Sequence, residues 1–216
     1  MRPEILRPRV TLKVATSLDG RIATSSGESQ WITGPEARNQ GHALRAVSDA
    51  ILVGVETVLA DDPRLTARLP DGQPAKDPLR VVMDSRLRTP PFARLAQAGT
   101  LILTTREPKP VGEAEVVRVA ADTAGRPAVG AVLDLLGERG IQSLMVEGGG
   151  RIAACFILAD AVDAIEWFRA PIVLGGDGRP SVATLALGRL HKAPKFRRLA
   201  AEACGDDLWE RYERLS

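Results

Sequence analysis

Short apolar runs separated by helical patterns are the feature that most constrains how this chain can fold. The runs are rich in β-branched residues and bounded by Gly, Pro or Asp, as buried or half-buried strands are. They occupy residues 10–14, 50–53, 80–83, 100–104, 116–119, 143–146 and 165–173. Because helical patterns lie between several of them, we expect an α/β protein with a mostly parallel central sheet flanked by helices.

Three longer helices are predicted between these strands. The capping-box spacing of Thr33 and Glu36, with a proline in the first turn, predicts a helix over residues 33–47. A second pattern, over 128–139, has one apolar stripe and ends at a glycine. A third, over 151–159, follows a triple glycine.

Length and composition indicate one ordinary domain. The chain has 216 residues, 44% of them hydrophobic and 26% charged, so we expect a single soluble domain over residues 1–216 that needs no disulfides. No apolar run approaches the ~18 residues that a membrane span needs. The first ten residues lack the apolar region of a secretory signal, and a cytoplasmic location is expected. The charged residues from about 204 onward fit either a loosely held tail or an edge element.

The net charge and the spacing of the Cys and His side chains argue against some classes of function. A net charge of +2 is too small to indicate nucleic-acid binding by itself. Most of the 29 basic residues are Arg, which fits either a GC-rich genome or phosphate recognition by planar guanidinium groups. Cys155, Cys204, His42 and His191 have no zinc-site spacing, so we expect no tightly bound metal and no disulfide scaffold.

The most informative segment is SLMVEGGGRIAACFI, residues 143–157. A buried strand ends there in Glu147, three glycines follow, and a helix begins. Such glycines let the backbone approach a ligand, and the free N–H groups of the new helix favour a pyrophosphate. A tight strand-to-helix turn without a ligand explains the pattern equally well. The segment is not the Rossmann fingerprint, so a nucleotide site here would be of another type.

The segment VGVETVLADDPRLTAR, residues 53–68, also carries chemistry. A short turn of helix presents Thr57. The Asp61–Asp62 pair before a proline fits either a divalent metal site or a turn and helix cap. Arg64 and Arg68 lie nearby in the sequence and are candidates to bind a phosphate group.

Single residues elsewhere allow two interpretations each. Ser85 and Arg86, after a predicted strand, fit either a ribose 2′-phosphate site or a solvated loop. Lys13, within an apolar strand, is either a partnered buried cation or an edge-strand residue facing solvent. Trp31 either stacks on a planar ring or lies at the edge of the core. His42 is predicted to be a surface residue rather than a base.

Five motifs in order carry a resemblance to a known family. They are KVATSLDGRIA (13–23), GESQWITG (27–34), DAILVGVETVLADDPRLT (49–66), VEGGG (146–150) and PIVLGG (171–176). Over roughly residues 9–180 the chain resembles the reductase domain of the bifunctional riboflavin-biosynthesis deaminase/reductase. That resemblance implies a single-domain dihydrofolate-reductase-like fold, NADPH as cofactor and a homodimer. It also implies reduction of the ribosyl group of 5-amino-6-(5-phosphoribosylamino)uracil to a ribityl chain.

The resemblance also implies site residues. The expected NADPH contacts are Ala15, Trp31, Thr57, Asp61 and Ser85, with a pyrophosphate cradle of Gly149, Gly150, Arg151, Ile152, Ala153, Ala154 and Cys155. The expected substrate contacts are Ser29, Arg45, Leu65, Arg68 and Glu147, with Arg45 and Arg68 as phosphate ligands. Glu147 would orient the sugar or stabilise a cationic imine, and Lys13 would donate to a pyrimidine carbonyl.

The sequence departs from the bifunctional enzyme because the deaminase half is absent, including the HxE and PCxxC elements of zinc deaminases. The resemblance therefore implies a stand-alone reductase or a paralogue. Archaeal and fungal stand-alone counterparts act on the diamino pyrimidine, before deamination. That pyrimidine, a pterin-like substrate, and a non-catalytic nucleotide-binding role are the alternatives that remain open.

Overall fold

Parallel pairing organises most of the central sheet. The computed structural model describes residues 7–69, 73 and 75–215. Its strands are β1 (Arg9–Thr16), β2 (Arg21–Ala23), β3 (Ala50–Gly54), β4 (Leu79–Met83), β5 (Thr100–Thr104), β6 (Glu115–Arg118), β7 (Ser143–Val146), β8 (Ala164–Arg169), β9 (Arg179–Pro180), β10 (Phe196–Cys204) and β11 (Asp207–Arg214). Its α-helices are α1 (Pro35–Ala46), α2 (Val55–Asp61), α3 (Val129–Glu138) and α4 (Gly150–Leu158).

Nine strands form one sheet in the order β10-β11-β8-β1-β7-β3-β4-β5-β6, and β2 and β9 pair separately. All neighbours from β8 to β6 are parallel, whereas β11 pairs antiparallel with β8 and with β10. The predicted α/β class with a mostly parallel central sheet is therefore confirmed.

Helices cover both faces of the sheet. On one face Leu12 joins a core that includes Val132 of α3 and Phe156 of α4. On the other face Ile51 joins a second core with Val58 of α2. Because side chains alternate along a strand, Lys13 points away from Leu12, to the face where α1 packs.

The first helix begins differently from the prediction. Gly34, not Thr33, is the N-cap, and no side chain caps this helix, so the expected capping box with Glu36 is wrong. The Gly34 N–H instead donates to the Asp207 carboxylate at 2.7 Å. A partner 173 residues away thus fixes the entry to α1, and local spacing cannot reveal such a partner.

Strand β8 is shorter than the predicted run over 165–173, because it ends at Arg169. The chain then leaves the sheet to bind the turn around Asp19. The Leu174 and Gly175 N–H groups donate to the Asp19 carboxylate at 3.1 and 2.8 Å. The hydrogen bond from the Ser17 hydroxyl, which is the largest cause, and these two backbone bonds lower the pKa of Asp19 to about 2.

The residues from about 204 onward are not a loose tail, because they form β11, which pairs with a strand on each side. Strands β10 and β11 form an antiparallel hairpin that extends the sheet beyond β8. Strand β10 is largely exposed along its length, which explains why its sequence lacks a clear apolar alternation. No helix in the described ranges is long and apolar enough to cross a bilayer.

Candidate functional site

The carboxyl ends of the parallel strands bring distant residues to one edge of the sheet. Glu147 follows β7, Gly54 ends β3 and leads into α2, and Asp84 follows β4. In open parallel sheets this edge is where ligands bind. The segments singled out from the sequence therefore meet at the edge where chemistry is expected.

Glu147 is held in a nearly buried ion pair. Arg45 of α1 donates from Nε to Oε1 at 2.8 Å and from Nη2 to Oε2 at 2.7 Å. The Glu147 side chain is 10% exposed and that of Arg45 19%. Burial alone would raise the pKa of Glu147, but the charge and hydrogen bonds of Arg45 outweigh it and lower that pKa.

Lys13 lies beside this pair. Leu12 is paired with Val146 between β1 and β7, so the next residues along, Lys13 and Glu147, continue the same register. The Lys13 Nζ lies 5.7 Å from the centre of the Phe168 ring, and no hydrogen-bond partner for it is found among the described residues. Burial lowers the pKa of Lys13, opposed by the Glu147 charge and assisted by that of Arg45. Because β1 is interior to the sheet, the edge-strand interpretation of Lys13 is wrong.

The three glycines after Glu147 have different surroundings. A Cβ added to Gly148 would lie 2.7 Å from Ile152 Cβ, and one added to Gly150 would lie 2.4 Å from the Pro180 carbonyl oxygen. A Cβ on Gly149 would meet no atom within 4 Å. Packing thus requires the two outer glycines, whereas the middle one faces open space.

The backbone N–H groups in the first turn of α4 differ in whether they have an acceptor. The Ile152 and Ala153 N–H groups donate to the Gly149 carbonyl oxygen at 2.9 and 3.2 Å. No acceptor for the N–H groups of Gly150 and Arg151 is found in the part of the chain that the structure describes. Free N–H groups at a helix N-terminus suit an anion, and phosphate above all.

The rest of the predicted cradle contributes mainly packing. Ala153 and Ala154 are buried, and Ile152 packs against the first core. Cys155 is half-buried, with its Sγ 3.7 Å from Arg126 Nη1. Side chains facing the core leave the backbone as the ligand-facing part of this segment.

Helix α2, which carries two of the predicted contacts, begins at this edge of the sheet, where β3 ends. Thr57 is half-buried on α2, and Asp61 ends that helix. Burial raises the pKa of Asp61. Asp62 caps the helix in a left-handed conformation and accepts from the Arg94 N–H at 2.8 Å, as the turn interpretation of this pair predicts. Ser85 lies in the turn after β4.

Buried Asp84 organises that turn, a role that the sequence did not indicate. Its carboxylate accepts from the Thr89 N–H and hydroxyl at 2.7 and 2.8 Å, and from the Arg86 N–H at 3.3 Å. These bonds fix the backbone at Ser85.

Three further predicted residues lie on β1 and in the segment before α1. Trp31 is 69% exposed, so the core-edge interpretation is wrong, and the Arg38 guanidinium lies 4.8 Å from its ring centre. Ser29 is half-buried in the preceding loop. Ala15 lies on the same face of β1 as Lys13 and packs near Phe168.

Leu65 and Arg68 lie in the loop that follows α2. The Leu65 side chain is 3% exposed in the second core, and its φ is +52°, so only its backbone is open to a ligand. Arg68 is exposed, and no ion pair to it is found within the described ranges.

His42 is the residue that sequence reasoning misjudged. It is half-buried rather than on the surface, and its Nδ1 lies 3.1 Å from the Thr66 carbonyl oxygen. Arg45 Nη1 donates to the same oxygen at 3.2 Å. The sequence spacing could have indicated this position, because His42 and Arg45 are three residues apart on a helix and therefore share a face.

A separate cavity of about 300 Å³ does not include Glu147 or the glycine turn. Its lining residues are Arg64, Thr66, Arg80, Arg94 and Gln97. Arg80, near the start of β4, lines this cavity, and so does Thr66, whose carbonyl oxygen binds Arg45. Among the described residues, no group of three His, Cys, Asp or Glu side chains is placed to hold a metal ion.

Comparison with known proteins identifies relatives along nearly the whole chain. The model of the RibD C-terminal domain matches residues 8–209. The 2,5-diamino-6-ribosylamino-4(3H)-pyrimidinone 5′-phosphate reductase of Methanothermobacter thermautotrophicus is 38% identical over 213 residues, covering 96% of this chain and 98% of that protein. The riboflavin biosynthesis protein RibD of Mycobacterium tuberculosis is 40% identical over 204 residues, covering 93% of this chain.

Solved structures give the same fold. Acinetobacter baumannii RibD, form 1, superposes with a TM-score of 0.86 at 28% identity, over 97% of this chain and 59% of that one. The chain spans about half the length of the bacterial RibD relatives, for example 53% of the M. tuberculosis protein.

Proposed function

The chain belongs to the RibD C-terminal domain family, and from that membership we propose that it is an NADPH-dependent reductase. Its proposed reaction is reduction of the ribosyl group of 5-amino-6-(5-phosphoribosylamino)uracil to a ribityl chain, in riboflavin biosynthesis. The observation that carries this proposal is the cluster of Glu147, Arg45 and Lys13 beside an open glycine turn.

The glycine turn fits the pyrophosphate of a dinucleotide. Open space at Gly149 and the free N–H groups of Gly150 and Arg151 support this placement. Thr57 and Asp61 on α2 and Ser85 after β4 border the same edge and would hold the rest of the cofactor.

A preference for NADPH over NADH would arise next to Ser85. The turn there is fixed by Asp84, and Arg86 is exposed with no ion pair found among the described residues. An arginine and a hydroxyl at such a strand end suit a ribose 2′-phosphate.

The charges of the site suit a phosphorylated substrate. The charges of Arg45 and Lys13 act on Glu147, and the charge of Arg68 acts on His42 in the same region. Arg45 is already engaged by Glu147 and the Thr66 carbonyl. Arg68 is therefore the main phosphate ligand that we propose, with the remaining N–H groups of Arg45 in support.

The chain's own residues would bind the substrate and stabilise charge during reduction. When bound, the nicotinamide would supply the hydride that the C1′ carbon of the ring-opened sugar accepts. Glu147, ionised and fixed by Arg45, would face the cationic imine at that carbon and stabilise it. Lys13, which has no hydrogen bond to any residue that the structure describes, would donate from Nζ to a pyrimidine carbonyl oxygen.

An assay of NADPH oxidation with the uracil ribotide tests the proposal directly. The expected result is oxidation that depends on the ribotide, with a ribityl product identified by mass spectrometry. Binding of NADPH without turnover of any pyrimidine ribotide would overturn the reductase assignment and favour a non-catalytic nucleotide-binding role.

The diamino pyrimidinone is a second candidate substrate. The archaeal reductase named for that compound aligns over 98% of its own length with this chain. Comparing kcat/KM for the two ribotides under one set of conditions separates the candidates. The substrate with the higher value is the one that the site is built for.

We also propose a homodimer. Strand β10 lies at the edge of the sheet with β11 on one side and, within the described residues, no strand on the other. Its Leu199 is 56% exposed. An unpaired edge with apolar side chains suits pairing with a second copy. Light scattering at several concentrations tests this, with Leu199→Lys expected to favour the monomer.

A further inference from the structure

One backbone oxygen joins the first helix to the loop after α2. The Thr66 carbonyl oxygen accepts from both His42 and Arg45, at 3.1 and 3.2 Å. Leu65 directly precedes Thr66 in the sequence, and Arg68 lies two residues after it. The two residues assigned to the substrate in this loop therefore flank its point of attachment to α1.

The chemistry of the contact fixes the imidazole tautomer. A carbonyl oxygen can only accept a hydrogen bond, so Nδ1 of His42 carries the proton and donates. Burial lowers the pKa of His42, and the charges of Arg45 and Arg68 lower it further, while the Thr66 carbonyl and Glu147 oppose them. The imidazole is thus neutral near neutral pH.

The loop has few other attachments near Arg68. The Ala67 N–H donates to the Asp77 carboxylate at 2.9 Å, and the Leu65 side chain is buried. Arg45 is shared between Glu147 and Thr66, so it holds the catalytic carboxylate and the loop at once. His42 is the one group of α1 found bound to this loop alone among the described residues.

We propose that His42 is a positioning residue, which holds Arg68 in place for the substrate phosphate through its Nδ1–H bond to the Thr66 carbonyl. This inference rests on the proposed function, because it needs a phosphorylated substrate. His42 acts through the loop and does not contact the reacting atoms.

Three substitutions separate this role from simple packing. The amide nitrogen of Asn is two bonds from Cβ, as Nδ1 of His is, whereas that of Gln is three bonds from Cβ. His42→Phe keeps the ring volume and removes the donor. We expect His42→Gln and His42→Phe to raise KM for the ribotide about tenfold, the effect of one lost hydrogen bond. His42→Asn should restore KM to within about threefold of the wild type.

The dephosphorylated nucleoside is the matched control substrate. Its KM should stay within about twofold across the variants, and kcat with the ribotide should change equally little. An equal rise in KM for both substrates, or equal effects of Asn, Gln and Phe, would overturn the proposal.

Hydrogen exchange provides a readout that does not depend on activity. The amides of residues 64–69 should exchange faster in His42→Phe than in His42→Asn, while those of β3 stay protected. If the wild type reduces no ribotide, the proposed function fails, and exchange still decides whether His42 holds the loop. Unchanged exchange in all variants would show that it does not.

Discussion

Arg45 binds both carboxylate oxygens of Glu147, although the two residues are 102 positions apart in the chain. Parallel, bidentate contacts of this kind fix the orientation of both planar groups. The pair thus presents one ionised carboxylate in a fixed direction, next to Lys13 and to the first glycine of the turn. The proposed chemistry depends on this arrangement, and each element of it is open to test.

Glu147→Gln should lower kcat/KM with the uracil ribotide about 100-fold, because a neutral amide cannot stabilise a developing cation. Glu56→Gln is the matched control, since Glu56 forms an exposed pair with Arg88. Steady-state rates at saturating NADPH provide the measurement. A kcat/KM within about threefold of the wild type would show that the proposed role of Glu147 is wrong.

Lys13→Met should reduce discrimination between the oxo and amino pyrimidines, since the proposed Nζ donor to the ring carbonyl is removed. We expect the ratio of kcat/KM for the two ribotides to change about tenfold. Lys109→Met, in an exposed loop, is the control. An unaltered ratio in Lys13→Met would contradict the assignment.

The three glycines should respond differently to alanine. Gly149→Ala should leave the melting temperature nearly unchanged and weaken NADPH binding about tenfold, because its Cβ would project into open space that a ligand would fill. Gly150→Ala should lower the melting temperature by several degrees, because its Cβ would clash with the Pro180 carbonyl. Calorimetry measures the two melting temperatures, and NADPH titration measures the two affinities. If both variants lost the same affinity and the same stability, the glycine turn would not be a pyrophosphate cradle.

Arg68→Gln should raise KM for the ribotide about tenfold or more and leave KM for the dephosphorylated nucleoside unaltered. Arg94→Gln is the control, since Arg94 is also an exposed arginine but is paired with Asp62. A matching rise in KM for the nucleoside would mean that Arg68 does not recognise the phosphate.

Acid should remove the stabilisation that Glu147 provides. Its pKa is lower in the folded protein than its ordinary value of 4.5, so the unfolded chain binds the proton first. The free energy of unfolding relative to Glu147→Gln should therefore be greatest above about pH 5 and fall as pH drops through the folded pKa. Urea titrations of both proteins between about pH 7 and pH 3 measure the difference. A difference that is constant over this range would refute the expected ionisation.

The sequence was sufficient for the features that depend on local pattern. The strands at 100–104 and 143–146 and the glycine turn after Glu147 all follow from residue type and spacing. A short apolar run and a glycine cluster before a helix are both decided within a few residues.

Long-range partners account for what local pattern could not predict. The sequence leaves open whether Lys13 is buried or exposed, and only the strand order, which places β1 inside the sheet, decides it. His42 reads as a surface residue until the loop after α2 folds against it. The start of α1 depends on Asp207 rather than on a neighbouring Thr. In each case the deciding contact joins residues that no periodicity relates.

The hydrogen bond from Gly34 to Asp207 has a practical consequence for truncated versions of the chain. A fragment that stops before β11 would retain all five sequence motifs and every residue assigned to cofactor or substrate. It would lack the acceptor that sets the first turn of α1, and with it the helix position from which Arg45 reaches Glu147. Competence for binding would thus be lost in a fragment whose motif inventory is complete.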